Sequence, residues 1–257
     1  MKTIILCGGL GYRLKEETEF KPKPMVLIGG KPILWHIMKI YAHWGYNDFV
    51  IALGYKGNAI KEYFLNQKYF ANDFTLDTKE GRTKIHKNGN SSEEDFHISF
   101  VDTGEDTLPG ERILRVMDYI PASDEHFMVT YGDGVSDIDI QKLISFHKSQ
   151  GTVGTITGVH PHSKYGLLTT DDRGVIVSFT EKPALKEFVN GGFMVFKRDF
   201  FNYLNPKEYE HEALKRLVAK KELSLFTHSG FWQCMDTYPD VDLLNKLWLT
   251  DPKWKIW

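Results

Sequence analysis

The sequence predicts an α/β fold, a mixed and mostly parallel sheet flanked by helices, with a smaller β-rich region toward the C-terminus. Three observations carry this expectation. Short apolar runs alternate with helical spacings from Thr3 to Phe64, the pattern of strand–helix–strand–helix units. A glycine-rich turn, Gly8-Gly9-Leu10-Gly11, follows the first run directly. Beyond Tyr165 the texture changes to apolar runs at residues 175–183 and 191–196, separated by turn residues.

The first run, Thr3-Ile4-Ile5-Leu6, reads as a buried strand. Glycines after it let the backbone bend tightly, and amides freed by such a bend bind phosphate. Arg13 and Lys23, in Lys21-Pro22-Lys23-Pro24-Met25, add the positive charge that glycines lack. Taken alone the stretch is either this cradle or a plain turn. It is not a dinucleotide fingerprint, because Tyr12, Arg13 and Leu14 follow Gly11 where a third glycine would open a helix. Nor is it a P-loop, because no Gly-Lys-Ser or Gly-Lys-Thr ends it.

Behind Pro32, a residue suited to a first turn, Ile33, Leu34, Ile37, Ile40 and Tyr41 recur at helical spacing and predict a helix ending near Trp44-Gly45. Residues 49–53 form a second strand, Gly54-Tyr55-Lys56-Gly57 a turn, and Ile60, Tyr63 and Phe64 a second helix. Residues 67–95 break every period and read as an insertion, with a hairpin turning at Glu80-Gly81 and a polar run at Asn88-Gly89-Asn90-Ser91-Ser92. The sheet resumes at residues 98–102, and Ile113, Leu114 and Met117 mark a helix. The strand at residues 127–131 then runs into Gly132-Asp133-Gly134, a carboxylate at the carboxyl end of a parallel strand, where such sheets bind ligands. A helix around Ile140, Leu143, Ile144 and His147, a strand at 152–158, the β-rich region, a helix at 212–220, a strand at 223–227 and a closing helix through Val241, Leu244 and Trp248 complete the chain. No repeat or low-complexity linker divides it, so one domain over residues 1–257 is expected.

A length of 257 residues is enough to bury a sizeable core. The formal charge of -2, with no lysine- or arginine-rich block, argues against a general nucleic-acid binder. No apolar run suits a signal core or a membrane span, and a soluble, cytoplasmic protein is expected. Two cysteines, Cys7 and Cys234, are too few for a disulfide framework or a zinc cage and are expected as buried or half-buried thiols.

Asp133 is the first candidate metal ligand and Asp236, in Gln233-Cys234-Met235-Asp236-Thr237, the second; magnesium takes oxygen donors, usually one or two carboxylates plus substrate phosphates. Lys182, in Thr180-Glu181-Lys182-Pro183, ends a strand and either faces a cleft as a phosphate-binding charge or stands in solvent. Glu181 and Asn190 can take hydrogen bonds from a sugar, and Arg112 is either a base or phosphate ligand or an exposed helix residue. His147, His160 and His162 lack metal-ligand spacing.

Taken together, Gly8 to Leu14, Lys21-Pro22-Lys23-Pro24, Tyr131-Gly132-Asp133-Gly134, Glu181-Lys182-Pro183, Asn190-Gly191-Gly192-Phe193 and the stretch from Gly230 to Thr237 resemble the sugar-1-phosphate nucleotidylyltransferases. Gly29-Gly30-Lys31-Pro32, Gly54-Tyr55-Lys56-Gly57 and Val101-Asp102-Thr103-Gly104 bring the chain nearest to the cytidylyl branch of that family. The resemblance implies a Rossmann-like fold, with residues 1–150 mainly for the nucleotide and 151–257 mainly for the sugar phosphate. It implies transfer from CTP to α-D-glucose 1-phosphate, giving CDP-glucose and pyrophosphate, with Mg2+ as cofactor and a homo-oligomer, a trimer or hexamer, as the assembly. Its nucleotide positions fall on Leu6, Cys7, Gly8, Gly9, Leu10, Gly11, Tyr12, Arg13, Lys23, Thr107, Arg112 and Gly132. Its metal ligands fall on Asp133 and Asp236, and its sugar-phosphate positions on Glu181, Lys182, Asn190 and Gly191. Arg13, Lys23, Asp133, Lys182 and Asp236 form the expected catalytic set. Four residues depart from the family pattern: Tyr12 for threonine, Cys7 for alanine, Glu111 for glycine and Cys234 for proline, and a reshaped nucleotide pocket is expected. Another base, another phosphorylated acceptor, or a silent sugar-nucleotide sensor are the alternatives.

Overall fold

The computed structural model describes residues 1–86 and 94–257. The polar run from Asn88 to Ser92, expected within the insertion, lies outside the described residues. In chain order the main elements are β1 (Thr3–Cys7), α1 (Ile33–His43), β2 (Asp48–Leu53), α2 (Gly57–Phe70), β3 (His97–Asp102), α3 (Pro109–Arg115) and β4 (His126–Tyr131). They continue with α4 (Ile140–Gln150), β5 (Gly154–Val159), β6 (Val189–Lys197), α5 (Glu210–Ala219), β7 (Leu223–Thr227) and α6 (Tyr238–Thr250).

The seven strands form one sheet in the order β7-β5-β6-β4-β1-β2-β3. β6 runs antiparallel to both β5 and β4, and every other neighbouring pair is parallel. The chain steps outward from β1 to β2 and β3, then returns to place β4 on the other side of β1, so the strand order reverses between β1 and β4. Ligands of such sheets bind at that reversal, beyond the carboxyl ends of the strands.

Both faces of the sheet are covered, which explains the continuous apolar run of β1. Ile5 and Cys7 point into a core built with α1, α2, α4 and α6, whereas Ile4 and Leu6 point into one built with α3, α5 and the turn holding Phe200 and Phe201. α1 is buried nearly all round, from Ile33 to Met38 and again at Ile40 and Tyr41. The chain's end seals it: Trp254 is fully buried, stacks on Phe231 and donates from Nε1 to His36 Nδ1.

Outside the sheet, Asp73–Asp77 pairs with Arg82–His86, a hairpin turning through Glu80-Gly81 with Gly81 at φ 66°. α2 carries through Phe70, past the boundary expected at Gln67, because Ala71 rather than a breaker ends it. The β-rich texture divides in two: β6 and β7 join the main sheet, while Leu167–Thr170 and Ile176–Thr180 make an exposed ladder of their own.

Candidate functional site

The turn after β1 sits at the strand-order reversal. Gly11, at φ 64°, leads into a short 3-10 turn, Tyr12–Leu14, closed by Leu14 N–H donating to the Gly11 carbonyl at 2.9 Å. Thr18 stitches the turn from behind, donating to the carbonyls of Gly11 and Leu14 at 3.2 and 3.0 Å. Lys23 opens a second 3-10 turn, Lys23–Met25, between Pro22 and Pro24. Pro24 in turn packs under Gly132, where a Cβ would stand 2.9 Å from its Cγ.

The two candidate metal ligands come together through a short ladder. Gly134–Ser136 pairs antiparallel with Trp232–Cys234, and the pairing runs on as Met235 N–H donates to the Asp133 carbonyl at 2.8 Å. Asp236 is then fixed by the cap of α6: Asp240 Oδ2 accepts from the backbone of Asp236 at 3.0 Å and from the backbone and hydroxyl of Thr237. One ligand atom each from Asp133, Cys234 and Asp236 lie within 4.8 Å of one another. Lys23 Nζ lies between the carboxylates, 2.6 Å from Asp133 Oδ2 and 2.6 Å from Asp236 Oδ1, and Arg13 reaches Asp236 Oδ2 at 3.2 Å. Burial works against the Lys23 charge, but Asp133 and Asp236 outweigh it and hold the ammonium above the usual lysine range. Burial likewise opposes the Asp236 charge, yet Lys23, then Arg13 and Lys164, hold this carboxyl below its ordinary value. Burial pushes both thiols up, reinforced at each by Asp133, so Cys7 and Cys234 stay protonated and are not nucleophiles.

Cys7, Arg13, Lys23, Asp133 and Asp236 line a cavity of about 520 Å³. It brings together fourteen of the expected residues, namely Leu6 to Arg13, Lys23, Thr107, Arg112, Gly132, Asp133 and Asp236. Arg112 is not the exposed helix residue of one expectation: it is 3% exposed, and its terminal nitrogens donate to Leu53 O, Thr103 Oγ1 and Gly104 O from Nη1 and to Gly8 O and Glu105 O from Nη2. The carboxyl ends of three parallel strands converge there, and the guanidinium serves the carbonyls gathered at them, sharing that of Leu53 with Thr103.

Glu181, Lys182, Asn190 and Gly191 are not among the lining residues. Lys182 stands at φ 46° with its side chain 64% exposed, beside Glu181 on the exposed segment. Asn190 is engaged locally, its Oδ1 accepting from Gly192 N–H and its Nδ2 donating to Tyr131 Oη. The Gly191 carbonyl accepts from Trp232 Nε1 at 2.8 Å. The departure at Glu111 has a local explanation: its carboxylate binds Arg115 and the backbone of Lys207, stapling α3 to a neighbouring loop outside the cavity lining. Tyr12, 77% exposed, stands at the rim. Sequence reasoning missed Tyr131 and Tyr209 as wall residues. Tyr131 is legible in retrospect as the neighbour of Gly132; Tyr209 precedes a helix with no signal of its own.

The sequence matches the nucleotidyl transferase family over residues 2–233. It is 45% identical over 262 positions to a Bacillus subtilis protein named as a probable glucose-1-phosphate cytidylyltransferase, with 100% of each chain covered. It is also 45% identical to the glucose-1-phosphate cytidylyltransferase of Salmonella typhimurium, again with 100% of each chain covered. Among solved structures, HddC from Yersinia pseudotuberculosis shares the fold, with a TM-score of 0.65 at 22% identity over 96% of this chain and 99% of that one. No helix among the described residues is long and apolar enough to cross a membrane. With a match that takes in the glycine turn, the strand reversal and the ladder beneath the carboxylates, the chain belongs to the nucleotidyl transferase family.

Proposed function

We propose that this protein transfers the cytidylyl group of CTP to α-D-glucose 1-phosphate, releasing pyrophosphate and forming CDP-glucose. Relatives of that name aligned over the full chain support the substrate pair. The observation that carries the chemistry is the Lys23, Asp133 and Asp236 cluster at the foot of the glycine turn.

The phosphate of a sugar 1-phosphate is mostly dianionic near neutral pH, with a second pKa of about 6, so its oxygen attacks the α-phosphorus without a general base. The cavity suits this, for no histidine lines it among the described residues and both thiols are held neutral. The obstacle is the approach of two polyanions. The amides from Gly8 to Gly11, with Arg13 and Lys23, hold the triphosphate and stabilise the departing pyrophosphate, and Thr107, Arg112 and Tyr209 wall the base and ribose side. Lys182 and Glu181 meet the sugar phosphate from the exposed segment.

The residues present fit a divalent cation: two carboxylates from different segments converge, and the Lys23 ammonium bridges them as a stand-in cation. Asp133 and Asp236 would hold Mg2+, which when bound neutralises phosphate charge. Assembly as a homo-oligomer belongs to the same proposal; the exposed ladder carrying Leu168, Ile176 and Phe179 gives it an apolar surface to bury.

The test is pyrophosphate release by the purified protein with Mg2+, pairing each nucleoside triphosphate with a panel of sugar phosphates. Turnover with CTP and glucose 1-phosphate is expected. Turnover with UTP or dTTP but not CTP would overturn the base, and tight nucleotide binding without turnover would favour a sensor.

A further inference from the structure

Two carboxylates this close repel each other, and the chain answers with a cation of its own. We propose that Lys23 is an internal counter-cation for the metal site: it occupies the space between Asp133 and Asp236 while the cavity is empty and moves to the nucleotide phosphates when they arrive, so that metal and nucleotide bind as one cooperative event. This rests on Asp133 and Asp236 being the metal ligands.

Four observations carry it. The Lys23 ammonium makes two ion pairs of 2.6 Å, one to each carboxylate, so a cation placed between Oδ2 of Asp133 and Oδ1 of Asp236 competes with it for the same oxygens. Its side chain is only 13% exposed, so an ammonium displaced by metal alone would lose both partners without regaining full hydration. Lys23 lines the same cavity as Gly8 to Gly11, which gives the displaced head an anionic partner once a triphosphate occupies the turn. Finally, Pro22 and Pro24 fix the backbone on either side, so the exchange is confined to rotations of one flexible side chain and leaves the turn in place.

The consequence is a coupling free energy between two ligands. Metal alone must evict a paired ammonium. Metal with nucleotide replaces two ion pairs by a metal between the carboxylates and a lysine on phosphate. Arg13 pairs with the other oxygen of Asp236, Oδ2, and so does not occupy the space that Lys23 fills.

The experiment measures Mn2+ binding to the full chain without nucleotide, by electron paramagnetic resonance of free Mn2+, with circular dichroism confirming the fold of each variant. Lys23→Met and Lys23→Gln remove the charge by two different side chains and should each bind one Mn2+ at least about tenfold more tightly than wild type. Lys23→Arg keeps a cation there and should retain the weak affinity of wild type. Adding Asp133→Asn to Lys23→Met should abolish the gain. Equal or weaker Mn2+ binding by both neutral variants would overturn the proposal. Tight binding that survives Asp133→Asn and Asp236→Asn would instead overturn the assignment of the carboxylates as ligands.

Discussion

The guanidinium of Arg112 stands where a side chain on Gly8 would be: a Cβ at Gly8 would lie 2.1 Å from Arg112 Cζ, and Arg112 Nη2 donates to the Gly8 carbonyl at 3.0 Å. The missing side chain at this position of the glycine turn is therefore required by the arginine behind it.

Arg112→Ala should cost about 3 kcal/mol of stability, because the carbonyls of Gly8, Leu53, Gly104 and Glu105 lose a shared donor. Arg112→Lys should rescue little, since an ammonium cannot serve five oxygens in one plane. Urea unfolding checks the stability, and isothermal titration with CTP should show weakened binding in both variants. Gly8→Ala should reproduce the binding defect from the other side of the contact.

Asp240 offers a way to disturb Asp236 without touching it. Its Oδ2 accepts from the backbone of both Asp236 and Thr237. Asp240→Ala should lose about 1 kcal/mol by removing the Asp240 half of the α6 capping box and lower turnover while leaving the CTP Kd near wild type. Asp240→Asn, which keeps an acceptor, should recover part of both losses. Thermal melts and steady-state kinetics together check this.

Acid should unfold the protein through two buried histidines. His36 donates from Nε2 to the Ile28 carbonyl at 2.8 Å, and burial, the largest influence, brings its pKa from 6.5 to about 4. Burial and then His126 bring His147 to about 4 as well. The unfolded chain protonates these rings near pH 6.5, the folded chain only near pH 4, so their stabilisation is complete above the first value and is lost as pH falls toward the second. The slope approaches about 1.4 kcal/mol per pH unit for each ring. Urea midpoints that stay constant as pH falls through this window would contradict the assignment, and His36→Gln should flatten the curve.

Trp254→Ala should destabilise the protein by about 3–5 kcal/mol, since the ring is fully buried against Phe231 and His36. Calorimetry measures the loss, and deletion of residues 252–257 should approach it.

The parallel half of the fold was legible because its signals are local and periodic: the apolar run of β1, the spacing from Ile33 to Tyr41, the strand before Asp133. Asp133 stood out because a strand end places it. Asp236 was paired with Asp133 on residue type and the needs of a metal, but the ladder that brings them together was not legible, since three ladder residues on each side carry no period. Arg112 read as surface or ligand because helical spacing says nothing about carbonyls gathered at three distant strand ends. Asn190 lies beside Tyr131 without lining the cavity, and its side chain serves Gly192 and Tyr131, a use that neither spacing nor residue type reveals.

The ladder beneath the carboxylates also fixes when the site can exist. Lys23 and Asp236 are separated by 213 positions, so their contact closes one of the longest loops in the chain and is slow to form during folding. A nascent chain still short of Trp232 carries the phosphate turn, Lys23 and Asp133 but no second carboxylate. On the proposed assignment of the two carboxylates, competence to bind metal therefore waits for the segment that carries Asp236, and recovery of Mn2+ binding during refolding reports closure of that contact rather than of the parallel half alone.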